Sequence, residues 1–198
     1  MKPRVRQALL LGLLVLGVWF FETMRPVGQP PGILAPDPPS ISPVAERPQV
    51  FERDAHLLTA LAGFEAKARV LSVERYGRDR QSRIAPLDIA LGWGRLSDAT
   101  TFRGVDVAQA ERRVLFKSYD PKLPDEEVGA SVVNLHVIGA DADVDKQLGK
   151  LRPGNIVQIK GWLVEAAAGD GWRWKGEPRA ASPELPGTLV WVQRVEAD

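Results

Sequence analysis

Residues 151–166, LRPGNIVQIKGWLVEA, carry the reading that decides the fold. Arg152-Pro153-Gly154-Asn155 makes a turn, after which Ile156, Gln158 and Lys160 alternate with Val157, Ile159 and Gly161, the two-residue period of a strand. Just upstream, Asp141 is a good helix N-cap and Asp143 and Asp145 suit the positive end of the helix dipole. Val144, Leu148 and Leu151 fall at i, i+4 and i+7. A short helix turning directly into a long strand is therefore expected over 141–166.

Working outward, Asp170-Gly171 predicts a turn, Trp172 to Lys175 a returning strand and Thr188 to Val195 the last strand. On the other side, Ser131 to Ile138, Arg113 to Tyr119 and Leu87 to Trp93 read as strands, with Pro121 to Gly129 as a loop. In Phe64 to Tyr76, Phe64, Ala66, Ala68 and Val70 alternate with Glu65, Lys67 and Arg69, another half-buried strand. Over 50–63, Phe51, Leu57, Leu58 and Leu61 suggest one face of a short helix that Gly63 stops. The class is mainly β with one or two short helices.

Two resemblances follow from these pieces. A long opening strand, further strands, a helix and then L-x-x-G-x-x-V-x-I-x-G-x-L resembles an OB-like five-stranded barrel, in which the helix lies between the third and fourth strands. DIALGWGRLSD (88–98), NLHVIGAD (134–141), GNIVQIKGWLVEA (154–166) and GWRW (171–174) look like an uncharacterised group of membrane-anchored proteobacterial proteins. That resemblance implies an anchored protein and no established activity. Members of the group often continue after GWRW into a polar stretch with a threonine, glycines and a cysteine, where this chain has KGEPRAASPELPGTLVWV.

The N-terminus sets the address. Lys2, Arg4 and Arg6 precede an apolar run from Ala8 to Phe21, so residues 1–25 read as a signal anchor contacting the bilayer through 8–21, with the N-terminus cytoplasmic and the rest periplasmic. Val18 to Met24 offer no A-x-A-like cleavage site, and no cysteine is present to acylate, which favours retention in the inner membrane. Fourteen helical residues span about 21 Å of a hydrocarbon core roughly 30 Å thick, so Arg6, Arg25 and the aromatic residues 19–21 must extend the anchor into the interfaces. Residues 26–49 follow as a Pro-rich tether, with eight of the 16 prolines between Pro26 and Pro48. As a free polyproline-like spacer it would reach up to roughly 70 Å. Residues 64–198 form the β domain, which without disulfides must rest on its hydrophobic core.

That domain has 20 basic and 20 acidic side chains, a balance that argues against nucleic acid. Several residues are candidates for ligand binding. Trp93, between Gly92 and Gly94, could present a flat face to a ligand or fold into the barrel end at a bulge, with Ser97 and Asp98 capping the turn after it. Trp172 and Trp174 share one strand face and could stack bases or sugars, or pack with Trp162 and Trp191. Asn134 and His136 alternate with Val133, Leu135 and Val137, so they are expected outward if the apolar set is core. His136 with Asp88, Asp98 or Ser97 is the one constellation a hydrolase could use, although no G-x-S-x-G or H-E-x-x-H is present. Asp141, Asp143 and Asp145 lack the glycine and the distal glutamate of a calcium loop. No metal or cofactor is implied. Arg75, Arg78, Arg80 and Arg83 form a basic loop that could touch lipid headgroups, although plain surface arginine is the better reading. The expectation is a tethered binding protein with an envelope protein as partner, with a hydrolase or a binder of single-stranded nucleic acid or glycan as alternatives.

Overall fold

The computed structural model describes residues 25–44, 46–176 and 184–198. The apolar run 8–21 lies outside them, and among the described residues no helix is long and apolar enough to cross a membrane. The described residues are mainly β, with ten strands among them: β1 Ser40–Pro43, β2 Val50–Arg53, β3 His56–Arg75, β4 Leu87–Gly92, β5 Val105–Ala110, β6 Arg113–Ser118, β7 Val132–Gly139, β8 Ile156–Ala168, β9 Arg173–Lys175 and β10 Glu184–Ala197. Three short helices interrupt them: α1 Ala99–Phe102, α2 Asp125–Ala130 and α3 Ala142–Leu148.

Five strands close on themselves in the order β3-β4-β7-β10-β8 and back to β3. Every pairing in the circuit is antiparallel except β7 with β10. Strand β3 can serve two neighbours over 20 residues because it bends at two bulges, between Ala60 and Ala62 and between Val70 and Ser72. Inside the closure pack the inward sets of each strand, among them Phe64, Ala66, Ile89, Leu135, Val157 and Val190. Helix α3 seals one end with Val144 and Leu148, and Leu151 follows them inward, the face its spacing predicts. Asp141 caps it, its Oδ1 accepting from the amides of Asp143 and Val144 at 2.9 Å each.

Three expectations are corrected. The helix over 50–63 is a hairpin, β2 and the start of β3, joined by Asp54 and Ala55 with φ of 46° and 60°. Residues 56–60 follow the strand period, His56, Leu58 and Ala60 buried and Leu57 exposed, because β8 pairs along them and overrides their local helical spacing. The 121–129 loop contains the start of α2, whose Val128 plugs a second cluster with Leu96, Val114 and Phe116.

The third correction concerns the tether. Residues 26–44 run along the domain as a strap. The Val27 amide donates to Pro153 O, Ala35 O accepts from the Gly94 amide, both at 2.8 Å, and the Ala35 side chain is fully buried. β1 and β2 then pair along the edge of β3 that β4 leaves vacant, Ser40–Pro43 against Ala62–Glu65 and Val50–Arg53 against His56–Thr59. Proline suits such an edge, where missing amide donors cost no ladder bond.

Candidate functional site

The most concentrated polar chemistry lies on the outer face of β4 and β7. Asp88 and His136 are cross-strand partners, and Asp88 is wholly buried and His136 nearly so. His136 Nδ1 stands 2.9 Å from Asp88 Oδ2, but the two are out of line for a hydrogen bond, so the contact is electrostatic. Sequence alternation assigns His136 and Asn134 to the face opposite Leu135 and Val137, which holds. Its inference that this face is solvent is corrected: the β5–β6 hairpin and β9 cover it, and Asn134 is fully buried.

The hairpin carries the side chain that joins the site. Glu111 and Arg112 have φ of 50° and 64°, a two-residue turn that aims Arg112 back at the sheet. Arg112 Nη1 donates to Asp88 Oδ1 and to Ala85 O at 2.9 Å, while Nε and Nη2 donate to Asp79 at 3.1 and 2.9 Å. Its guanidinium lies 4.1 Å from the centre of the Tyr76 ring. Asn134 Nδ2 donates to Arg112 O at 3.0 Å and Gln109 Nε2 to Asn134 Oδ1 at 2.7 Å. Burial pulls the Asp79 carboxyl upward, but hydrogen bonds from Arg112 and the Ser82 amide, with the Arg112 charge, hold it below the ordinary carboxylate range. Burial pushes the Tyr76 phenol up.

Trp174 closes the other side of His136, ring centres 5.0 Å apart, and lies 5.4 Å from the Arg112 guanidinium. Trp172 is 6.3 Å from Trp174, meets His56 edge-on at 5.2 Å and takes Arg80 over its face at 4.7 Å. Both tryptophans are half-buried against the cluster that holds Trp162 and Trp191. The charges around them are mixed: Arg80 pairs with Asp170, and Arg112 with Asp79 and Asp88.

Trp93, Ser97 and Asp98 form a separate group. The glycines beside Trp93 do not expose it, for it is only 6% exposed. A Cβ on Gly92 would meet the Leu71 methyls at 2.8 and 2.9 Å, and Gly94 has a φ of 58°, in the left-handed region that favours glycine. Ser97 Oγ, fully buried, accepts from the Leu34 and Ala35 amides at 3.1 and 3.0 Å and donates to Gly94 O at 2.7 Å. Asp98 Oδ1 accepts from Gly32 at 3.0 Å and from Thr100 at 2.9 Å, capping α1. These bonds, that from Gly32 foremost, hold the Asp98 carboxyl below its usual range. Both residues therefore fasten the strap. Ser97 O accepts from Arg69, the strand partner of Gly92, and Gly92 lies four residues along β4 from Asp88, about 13 Å. The structure thus brings Asp88 to His136 and leaves Ser97 and Asp98 at the far end.

Chemically, Asp88 stands beside the His136 imidazole but lacks the hydrogen bond through which a carboxylate orients a base. Among the described residues no group of three or more metal-ligating side chains is placed to hold an ion. Asp79, Tyr76, Gln109 and Arg112 were not singled out by the sequence; the signal available was Glu111-Arg112 lying between two alternating segments. No family model, curated protein or solved structure matches the chain.

Proposed function

We propose that this chain is a single-pass inner-membrane protein, N-terminus in the cytoplasm, whose periplasmic OB-like barrel binds an envelope protein and performs no catalysis. The circuit β3-β4-β7-β10-β8, with its one parallel pair and α3 between β7 and β8, supports the OB-like assignment. The basic flank and apolar run support the anchor, as does the resemblance of the 88–98 and 171–174 motifs to anchored proteobacterial proteins.

The observation that carries the binding reading is an aliphatic patch on the β2–β3 hairpin. Val50, Leu57 and Leu61 are 58%, 54% and 37% exposed, and Val50 pairs with Thr59 between the other two. Adjacent exposed aliphatic side chains on a paired strand lose water most favourably against another protein surface. By contrast, Ser97 and Asp98 are engaged in fastening the strap, and Asp88 and His136 are buried beneath the β5–β6 hairpin and β9. The hydrolytic reading has the Asp88–His136 contact in its favour, but needs a nucleophile beside the imidazole, which neither Ser97 nor Asp98 supplies.

Fractionation and protease accessibility test the proposal together. The full chain should stay in inner membranes through high-salt and carbonate washing, and protease added to spheroplasts should digest the domain. Recovery in the soluble periplasm, or protection inside intact spheroplasts, would overturn it.

A further inference from the structure

The strap changes where the domain stands relative to a bilayer. A free tether of 23 residues would let it roam tens of ångströms away, but the strap begins at its first described residues. Val27 is clamped to the 153–154 turn: its amide donates to Pro153 O, and its carbonyl oxygen lies where a Cβ on Gly154, φ 98°, would sit. Only five residues separate Phe21, the end of the apolar run, from Val27, and the six Cα-to-Cα steps across them cannot reach beyond about 21 Å however they are arranged. The end of the domain that carries the 153–154 turn is therefore held beside the anchor, and the β2–β3 hairpin is turned away.

That end carries basic side chains, with Asp141 and Asp143 exposed at the start of α3 as its acidic neighbours. Lys146 and Lys150 are exposed on α3 and just past it, and Arg152 opens the turn. Arg75 reaches over from β3, its Nη2 donating to Gly149 O at 2.6 Å. Between the turn and the C-terminal strand lies a cleft of about 460 Å³ lined by Gln147, Lys150, Arg152 and Asn155, with Glu196 as its acidic member. Glu196 is engaged by Arg194, and the carbonyl of Asp198 accepts from Asn155 at 2.8 Å. Basic side chains near a bilayer surface are drawn toward anionic lipid.

We infer that the Pro-rich segment is a strap that seats the α3–β8 end of the domain on the membrane, with Arg75, Lys150 and Arg152 meeting the phosphates of anionic lipid headgroups. The inference rests on the anchor reading above, and adds that the domain has one orientation and no stalk.

The chain contains no cysteine, so single labels are unambiguous. Full-length protein bearing a fluorophore at Gln147→Cys or at Leu57→Cys is reconstituted in vesicles of phosphatidylcholine with or without phosphatidylglycerol, with a headgroup quencher in the outer leaflet. The expected result is loss of most emission at 147 and little at 57. Adding phosphatidylglycerol should strengthen quenching at 147, and K150E/R152E should lower the docked-to-undocked ratio by about tenfold or more. Equal quenching at both positions in protein that stays with the vesicles would overturn the strap orientation. Quenching at 147 indifferent to phosphatidylglycerol and to K150E/R152E would overturn the headgroup contact. Protein that never enters vesicles refutes the anchor reading itself, a separate outcome visible in the flotation step.

Discussion

Arg112→Met is the sharpest perturbation of the buried polar site. It removes the guanidinium that donates to both Asp79 and Asp88 while keeping an unbranched apolar stem over Tyr76. Asp79 is about a third exposed and can rehydrate, so its loss is small; Asp88 is fully buried and keeps only the out-of-line contact with His136. Breaking a buried pair from one side costs about 3–5 kcal/mol, most of it the uncompensated charge left behind. Because the site opens toward Asp79, about 3 kcal/mol is expected, which at a slope near 2 kcal/mol/M moves the urea midpoint down by about 1.5 M. The double variant D88N/R112M removes the stranded charge and should recover at least about 1 kcal/mol of that loss. A midpoint shift for Arg112→Met under about 0.5 M, or no recovery in the double variant, would refute the account of Arg112 as the counter-charge of Asp88.

Three further outcomes follow from other contacts. A chain beginning at residue 25 should give a cooperative unfolding transition, whereas one beginning at residue 49 loses β1, the buried Ala35 and the partners of Ser97, and should unfold at markedly lower urea. The Gly32 amide, which donates to Asp98 Oδ1, should titrate by NMR with a midpoint below the reference Asp value of about 3.9. Since the folded value is the depressed one, the stabilisation is present above that reference and is lost as pH falls through the folded value; a midpoint at or above the reference contradicts the bond. Gly187→Ala would put a Cβ 2.1 Å from the His136 ring and should cost about 1–3 kcal/mol by overpacking, a penalty that His136→Ala in the same chain should relieve.

The legible parts of the fold were those specified by local pattern. Alternation over 156–161 and the Asp141 cap located β8 and α3, and the inward faces of β3 from Phe64 onward and of β7 followed from their own periods. The strap was illegible for a physical reason: a proline-rich segment has the same composition whether free or docked, and its partners, Ser97, Asp98 and Pro153, come together only on folding. The β2–β3 hairpin was hidden because Leu57-Leu58 blurs the strand period and Asp54-Ala55 carries no glycine to mark the turn. For His136, alternation within β7 gave the right face but could not reveal the second layer, since the hairpin bearing Arg112 arrives from another part of the chain. The pairing of His136 with Asp88 was among the combinations the sequence offered; Arg112, which no local pattern marked, was not.

The claim that the β2–β3 hairpin is a docking surface for an envelope protein is tested most directly in living cells. A photo-crosslinking amino acid is placed at Leu57, and in a control chain at the exposed Lys160 on the face of β8. The account predicts one discrete protein adduct from position 57, absent from 160 and abolished when Val50 and Leu61 are both changed to Asp. The same adduct from both positions, or none from 57, would contradict it.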